Sequence, residues 1–111
     1  MESILTSIKK LLGVPATDTS FDQDIIMHIN TVLMILNQMG VGAEGFYIED
    51  ETSIWTDFIS DMKKVQGVKT YVYLKVRLIF DPPSSSAVIE SINRSISELE
   101  WRLNNAVETT E

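Results

Sequence analysis

The only histidine of this 111-residue chain lies one helical turn after an acidic residue, a spacing that could serve acid–base or metal chemistry. His28 follows Asp24, and Asp22 adds a second carboxylate. A carboxylate metal site of this kind would suit an accessory protein of a nuclease. One histidine and no cysteine leave the ligand set incomplete. We therefore expect His28 to be an ordinary helix residue that faces solvent or is half-buried.

Three glycines form a second motif that could carry chemistry. Gly40, Gly42 and Gly45 reproduce the G-x-G-x-x-G pattern that cradles a dinucleotide pyrophosphate. That fingerprint follows a strand and opens a helix, whereas these glycines follow a predicted helix and precede Phe46-Tyr47-Ile48. The acidic residues around them would also repel phosphate. We therefore reject a nucleotide site and expect no cofactor.

Three consecutive hydroxyls, at Ser84, Ser85 and Ser86, are the remaining potential nucleophiles. No G-x-S-x-G pattern surrounds them, and His28 is far away in the sequence. Helix capping accounts for serines at this position. The chain thus contains no recognisable catalytic machinery, and we expect a protein that is not an enzyme.

Hydrophobic spacing predicts a short helix at the start of the chain. Its apolar residues share one stripe from Ser3 to Leu12, and Lys9 and Lys10 are predicted to face away from it. Gly13 can adopt the left-handed conformation that closes a helix.

A capping box predicts the start of the second helix. Ser20 is the expected N-cap and Gln23 the residue that reaches back to it, and the helix is expected to end at Gly40. From Gly40 to Ser53 the chain is irregular, and Phe46–Ile48 has strand character. We predict a glycine-rich acidic loop there, or a small hairpin.

The rest of the chain predicts further helices. A short third helix is expected from Ile54 to Lys63, and a last one from Ser84 to Ala106, with residues 105–111 frayed. Between them, Val65–Phe80 alternates as a strand would but also carries helical stripes. Propensity favours the strand, whereas the lack of a convincing pairing partner favours the helix, which we adopt. The sequence therefore predicts a single all-α domain, residues 1–111, with four to five helices.

Charge is unevenly distributed in this acidic chain, whose formal net charge is −7. Six acids and no base lie between Glu44 and Asp61, whereas five bases and no acid lie between Met62 and Phe80. The overall acidity disfavours general nucleic-acid binding, although Lys63 to Arg77 remain the one basic segment that could contact DNA. No segment approaches the length of a membrane span.

The opposed charge blocks are either ordinary solvated faces or complementary surfaces of identical copies. In the second interpretation, interface residues can be named. Trp101 lies off the apolar stripe of the last helix, so it either packs on the first helix or anchors an interface, and Tyr47 has the same two alternatives. The acidic candidates on one copy are Glu49, Asp50 and Glu51. The basic candidates on the next copy are Lys63, Lys64 and Arg77.

One long stretch, together with two segments near the start, resembles a known family. The stretch VKTYVYLKVRLIFDPPSSSAVIESINRSISELEWRL (Val68–Leu103), with SILTSIKKLLGV and FDQDIIMHIN, is similar to the small head–tail connector proteins of tailed phages and prophages. The resemblance covers nearly the whole chain. It implies a capped N-terminal helix, a long second helix, a variable middle and two more helices. The insert from Gly40 to Glu51 departs from that pattern, and its role stays open.

The resemblance implies a structural role at the head–tail junction of a virion, after synthesis in the bacterial host cytoplasm. Such head-completion proteins form a ring, usually of twelve copies, beneath the portal, and present a docking surface to the tail or to a stopper protein. DNA would at most pass through the ring. The resemblance also implies that isolated subunits can stay monomeric until a portal organises them. The alternative function is a small helical interaction module or regulator unrelated to virions.

Overall fold

The structure is a computed structural model. It describes the backbone of residues 2–109 and the side chains as far as residue 104. This part of the chain contains five helices. They are α1 (Ile4–Leu12), α2 (Asp22–Gln38), α3 (Trp55–Phe58), α4 (Met62–Phe80) and α5 (Ser86–Thr109). Apart from one isolated antiparallel bridge between Ser3 and Ile54, these residues contain no β-structure. The predicted all-α bundle is confirmed. Of the tail expected to fray, residues 110 and 111 lie outside the described residues.

The central helix is α4, which packs against α1, α2, α3 and α5. The helical interpretation of Val65–Phe80 is therefore confirmed, against the strand propensity of its valines and tyrosines. Burial decides between the two, because the helix places these side chains toward four neighbouring elements at once. Its fully buried residues are Val65, Val68, Tyr71, Val72 and Val76.

The prediction that Lys9 faces solvent is wrong, whereas Lys10 is exposed as predicted. Lys9 is 3% exposed, and its Nζ lies 2.7 Å from Asp22 Oδ1 at the start of α2. The same ammonium donates hydrogen bonds to the carbonyl oxygens of Asp18, at 2.8 Å, and Ala16, at 3.3 Å. A long polar side chain is thus buried with three oxygen partners, and it ties the α1–α2 loop to both helices.

The predicted capping box of α2 is not formed. The helix begins at Asp22, and Phe21 occupies the N-cap position without a side-chain hydrogen bond. Ser20 instead donates from its backbone N–H and its hydroxyl to Oδ1 of Asp18. These bonds hold the pKa of the Asp18 carboxyl below its usual value. Ser20 therefore bonds to the nearer carboxylate of Asp18 and does not cap the helix, as the sequence pattern predicted it would.

The third predicted helix, Ile54 to Lys63, is wrong in extent. It is divided into a single turn, α3, and the start of α4, with Ile59 in an extended conformation between them. The division follows from Asp61, whose carboxylate caps α4 by accepting a hydrogen bond from the backbone N–H of Lys63 at 3.0 Å. Trp55 fixes α3 in the core, since its Nε1 donates to Ser7 Oγ at 2.9 Å.

The last helix follows the Asp81-Pro82-Pro83 break, as predicted. It begins at Ser86, and the backbone N–H of Val88 donates to Ser85 Oγ at 3.4 Å, in line with a capping role for the serines. Its buried residues, Ile92, Ile96 and Leu103, belong to the common core. Within residues 2–109, none of the helices combines the length and the apolar character needed to cross a bilayer.

Candidate protein-binding surface

Beyond its acidic first turn, the outer side of α2 is an uncharged surface in an acidic protein. No Lys, Arg, Asp or Glu occurs from Ile25 to Ala43. The inner side of the helix lies in the core, and Met27 and Met34 remain more than half exposed on the outer side. Depletion of charge together with exposed methionine is typical of the central part of protein–protein interfaces. This side of α2 is therefore the strongest candidate for a contact surface.

Two asparagines of α2 position the loop that borders this surface. Asn30 Nδ2 donates to the carbonyl of Ile48 at 3.0 Å, and the N–H of Ile48 donates back to Asn30 Oδ1 at 2.8 Å. Asn37 Nδ2 donates to the carbonyl of Ala43 at 2.9 Å and accepts from the N–H of Gly45 at 3.2 Å. The backbone of the loop is thus satisfied by side chains of α2. The sequence left open a loop or a small hairpin, and the structure contains the loop. Its backbone bonds to the two asparagines of α2 and not to a second strand.

The glycines of the rejected nucleotide motif serve the turns of the loop. Gly40, Gly42 and Gly45 all have positive φ angles, between 73° and 84°. At Gly42 a side chain would also overlap the ring of Phe58, which is buried and packs against Phe46 at 5.4 Å between ring centroids. Backbone conformation and close packing therefore explain the glycines without a phosphate.

Tyr47 stands beside α2 at the edge of a shallow pocket. It is 61% exposed, so it does not belong to the core. The pocket has a volume of about 470 Å³, and its lining contains no charged group. The lining residues are Asn30, Met34, Asn37, Gln38, Gly45, Phe46 and Tyr47. A tyrosine beside an uncharged hollow is suited to binding an apolar side chain of another molecule.

Trp101 borders a groove between α2 and α5, and at 66% exposure it is not packed in the core. The groove has a volume of about 500 Å³, and its lining residues are Ile35, Gln38, Met39, Glu100, Trp101 and Asn104. Trp101 was predicted either to pack on the first helix or to anchor an interface, and in the structure it does not pack on the first helix. Gln38 lines both this groove and the Tyr47 pocket. We name the resulting continuous surface the α2 face: Met27, Met34, Gln38, Tyr47 and Trp101.

The acidic turn, Glu49 to Glu51, adjoins the α2 face. All three side chains are exposed, and Tyr47 lines one hollow together with Glu49 and Asp50. Asp50 Oδ1 accepts hydrogen bonds from the backbone N–H and the hydroxyl of Thr52. These bonds lower the pKa of the Asp50 carboxyl and fix the shape of the turn. The structure thus brings Tyr47 together with the predicted acidic residues.

The predicted basic residues are not gathered on one surface. Lys63 is exposed, and Lys64, which is half-buried, lies 4.0 Å from Asp61 of its own chain. Arg77 Nη1 donates to the hydroxyl of Tyr73 at 3.0 Å. Along α4, Lys63 and Arg77 are about 21 Å apart at the usual rise of about 1.5 Å per residue. They cannot meet the same carboxylate, although both belong to one block in the sequence.

Two further bases of α4 have partners in their own chain. Lys69 forms an ion pair with Glu2, and this contact lowers the pKa of the Glu2 carboxyl. Lys75 lies over the ring of Tyr71, with Nζ at 5.9 Å from the ring centroid. The charge of Lys69 is therefore balanced within the chain, whereas Lys75 keeps its charge beside the ring.

The sequence does not signal one polar contact beneath the Trp101 groove. The hydroxyl of Tyr71, a fully buried residue, donates to Glu100 Oε2 at 2.7 Å and joins α4 to α5. Burial, and then the adjacent carboxylate, raise the pKa of Tyr71 above its ordinary range. The pair fixes the segment of α5 that carries Trp101. A tyrosine within an apolar stripe carries no indication of its partner in another helix, so sequence reasoning missed it.

The possible catalytic residues do not form a site. Asp22 is engaged by Lys9, and His28 is half-buried on α2. Within the part of the chain with described side chains, no three His, Asp or Glu residues are close enough to bind a metal ion together. Ser84, Ser85 and Ser86 are exposed near the start of α5.

These features define a small all-α protein whose most developed surface is suited to binding other proteins. The family model described as phage connector protein matches residues 4–110, and the chain belongs to that family. It is a structural component of the virion at the head–tail junction, where it interacts with other virion proteins. A search of curated proteins and a search of solved structures each found no match.

Proposed function

We propose that this protein is a head-completion connector that assembles as a ring of identical copies on the portal, twelve in the usual arrangement of the family. The observation that carries the proposal is the α2 face of this family member, which exposes methionine, tyrosine and tryptophan and has Glu100 as the one charged residue lining its Trp101 groove. In this role the protein works by shape and contact and catalyses no reaction. DNA passes through the ring without sequence-specific binding.

Contacts between copies involve the acidic turn beside the α2 face and the cations of α4. The acidic turn Glu49–Glu51 of one copy meets Lys63 and Lys64 of the next copy, at the start of α4. Arg77, near the other end of that helix, contributes to the same side-by-side arrangement at a different carboxylate. The support for this pairing is the exposure of the acidic turn and of Lys63.

Contacts with other virion proteins involve the Trp101 groove. The groove lies on the α5 side of the α2 face, and its lining shares no residue with the hollow beside the acidic turn. An exposed tryptophan is among the residues that contribute most to binding when they are buried by a partner. The portal above the ring and a tail-side or stopper protein below it are the partners proposed for this groove and the remaining surfaces.

Electron microscopy of the protein mixed with isolated portal rings of the same phage tests this function. We expect an added layer of density with the rotational symmetry of the portal, and the free protein sedimenting as a monomer. Portal rings without added density, together with one-to-one binding of an unrelated target, would favour a small helical regulator instead.

A further inference from the structure

The pocket beside Tyr47 is bordered by exposed apolar side chains that contact no other part of the described chain closely enough to be buried. Tyr47 and Met34 border the uncharged pocket of the α2 face, and the acidic turn lies beside them. An occupant of this pocket should therefore combine an apolar side chain with a neighbouring cation. The arrangement matches the common anatomy of an interface, with an apolar centre and a charged rim.

The same chain carries such a combination at the start of α4. Met62 is 60% exposed at the first position of the helix, and Lys63, the next residue, is exposed as well. Methionine is unbranched and flexible, so it can fill an irregular pocket. The carboxylate of Asp61 caps the helix and lies 4.0 Å from the ammonium of Lys64, so it does not neutralise Lys63.

We propose that Met62 of one copy docks in the Tyr47 pocket of a second copy, with Lys63 placed against Glu49 and Asp50. This inference rests on the proposed assembly of copies and names the contact that links them. Because the pocket and Met62 are different surfaces, the contact is head-to-tail and can repeat from copy to copy.

Charge complementarity at the edge of the pocket supports a second copy as the occupant, because the same chain carries both the acidic turn and the exposed Lys63. Two chains with a net charge of −7 repel each other wherever their acidic surfaces face. The pocket offers no charged group, and Glu49 and Asp50, which share a hollow with Tyr47 at its edge, are opposite in sign to Lys63. A second combination, exposed Leu11 beside Lys10, has the same chemistry, but Leu11 is only 44% exposed, in the last turn of α1.

Cysteine cross-linking tests the contact directly, since the chain contains no native cysteine. A Met34→Cys, Met62→Cys double variant is bound to portal rings and treated with a short bis-maleimide reagent. We expect a ladder of covalent multimers on a denaturing gel, whereas each single variant stays monomeric. Met34 and Met62 are both more than half exposed, so folding of the double variant is preserved.

Matched controls separate this contact from its competitors. Met34→Cys combined with Ile79→Cys places the second thiol on an equally exposed residue at the far end of α4, and no ladder is expected. A ladder from Met34→Cys with Leu11→Cys, but not with Met62→Cys, would overturn the choice of Met62. Dimers from Met34→Cys alone would overturn the head-to-tail arrangement.

Co-sedimentation with portal rings, measured on the same samples, distinguishes the failure of this inference from that of the proposed function. Binding without a ladder overturns the Met62 contact and leaves the connector function standing. If the unmodified chain does not co-sediment, the connector function itself is overturned. A Met62→Ala variant should need about tenfold more protein to saturate the rings, which is the effect of losing about 1.4 kcal/mol, and Ile79→Ala should bind as the unmodified chain does.

Discussion

At the scale of single residues, the buried ammonium of Lys9 shows how a short loop becomes rigid. Its three oxygen partners lie in the loop after α1 and at the start of α2, so one side chain connects two helices and the segment between them. Removing one member of such a group leaves the others without a partner away from water.

Lys9→Met keeps the length of the side chain and removes the charge, and it should lower the free energy of unfolding by about 2 kcal/mol. The effect lies below that of a fully buried pair because the Asp22 side chain as a whole is 20% exposed, although its Oδ1 is buried. Urea unfolding measures the change. Lys10→Met, on the exposed neighbour, is the control and should change stability little. Equal stability of the two variants would show that the ammonium does not hold the loop.

The Tyr71–Glu100 hydrogen bond should make stability depend on alkaline pH. Tyr71→Phe should lose about 1–2 kcal/mol at neutral pH, the usual range for a bond to a charged acceptor that is partly solvated. The pKa of Tyr71 is raised in the folded chain, so the unfolded chain loses its proton first as the pH rises past about 10. Stability therefore falls there, by up to about 1.4 kcal/mol per pH unit.

Urea unfolding between pH 8 and pH 11 checks this pH dependence. The unmodified chain should lose stability above about pH 10 more steeply than Tyr71→Phe, because only the unmodified chain carries this hydroxyl. Tyr47 and Tyr73 remain in both proteins and cancel in the comparison. Parallel pH profiles would contradict the assigned contact.

At the scale of elements, the loop between α2 and α3 depends on a close approach of backbone to ring. Gly42→Ala introduces a methyl group against Phe58 at a positive φ, so both overpacking and backbone strain should act, together costing about 3 kcal/mol. Gly45→Ala has a similar φ and open space around it, and should cost about 1 kcal/mol. Thermal unfolding of the two variants gives the difference, and equal losses would argue against packing at Gly42.

Sequence periodicity predicted the elements whose apolar faces are long. The spacing in α2 and α4 repeats over four or more turns, so burial of one side is the only arrangement that removes it from water. Choosing the helix for Val65–Phe80 required the further argument that no strand was present to pair with it. The fold class was therefore accessible from the sequence.

The sequence predictions were wrong where a local pattern along the chain competed with a hydrogen-bond or ion-pair partner outside that pattern. The expected solvent position of Lys9 failed because Asp22 and two loop carbonyls, distant in sequence, meet its ammonium. The capping box at Ser20 failed because Asp18 was closer. In the same way, the α2 face was not predicted, since its parts come from α2, the loop and α5 and become neighbours only in the fold.

At the scale of the whole molecule, net charge would govern how copies approach one another in the proposed ring. Two bases of α4, Lys64 and Lys69, contact acids of their own chain, whereas the acidic turn stays exposed, so another copy meets fewer unpaired cations than the sequence block indicates. Attraction between copies must then come from few cations together with apolar contact.

Replacing Lys63 and Lys64 by Glu should weaken assembly on portal rings, and the loss should grow as the salt concentration falls. At about 0.01 M salt the Debye length is about 30 Å, so the added repulsion acts at full strength, whereas at about 1 M it is about 3 Å and the variant should approach the unmodified chain. Co-sedimentation at several salt concentrations measures the effect. Lys75→Glu, which alters a cation placed over Tyr71, is the control within the same helix. Unchanged assembly at low salt would show that Lys63 and Lys64 do not contribute to the contact between copies.

The clamps formed by Asn30 and Asn37 have a consequence for how this protein can evolve. Both asparagines grip only main-chain atoms of the loop, so its path does not depend on which outward side chains it carries. A lineage can substitute Glu44, Tyr47 or Glu49 to suit a new neighbour while the scaffold stays as it is. The chemistry of recognition and the architecture of the subunit can thus diverge at separate rates.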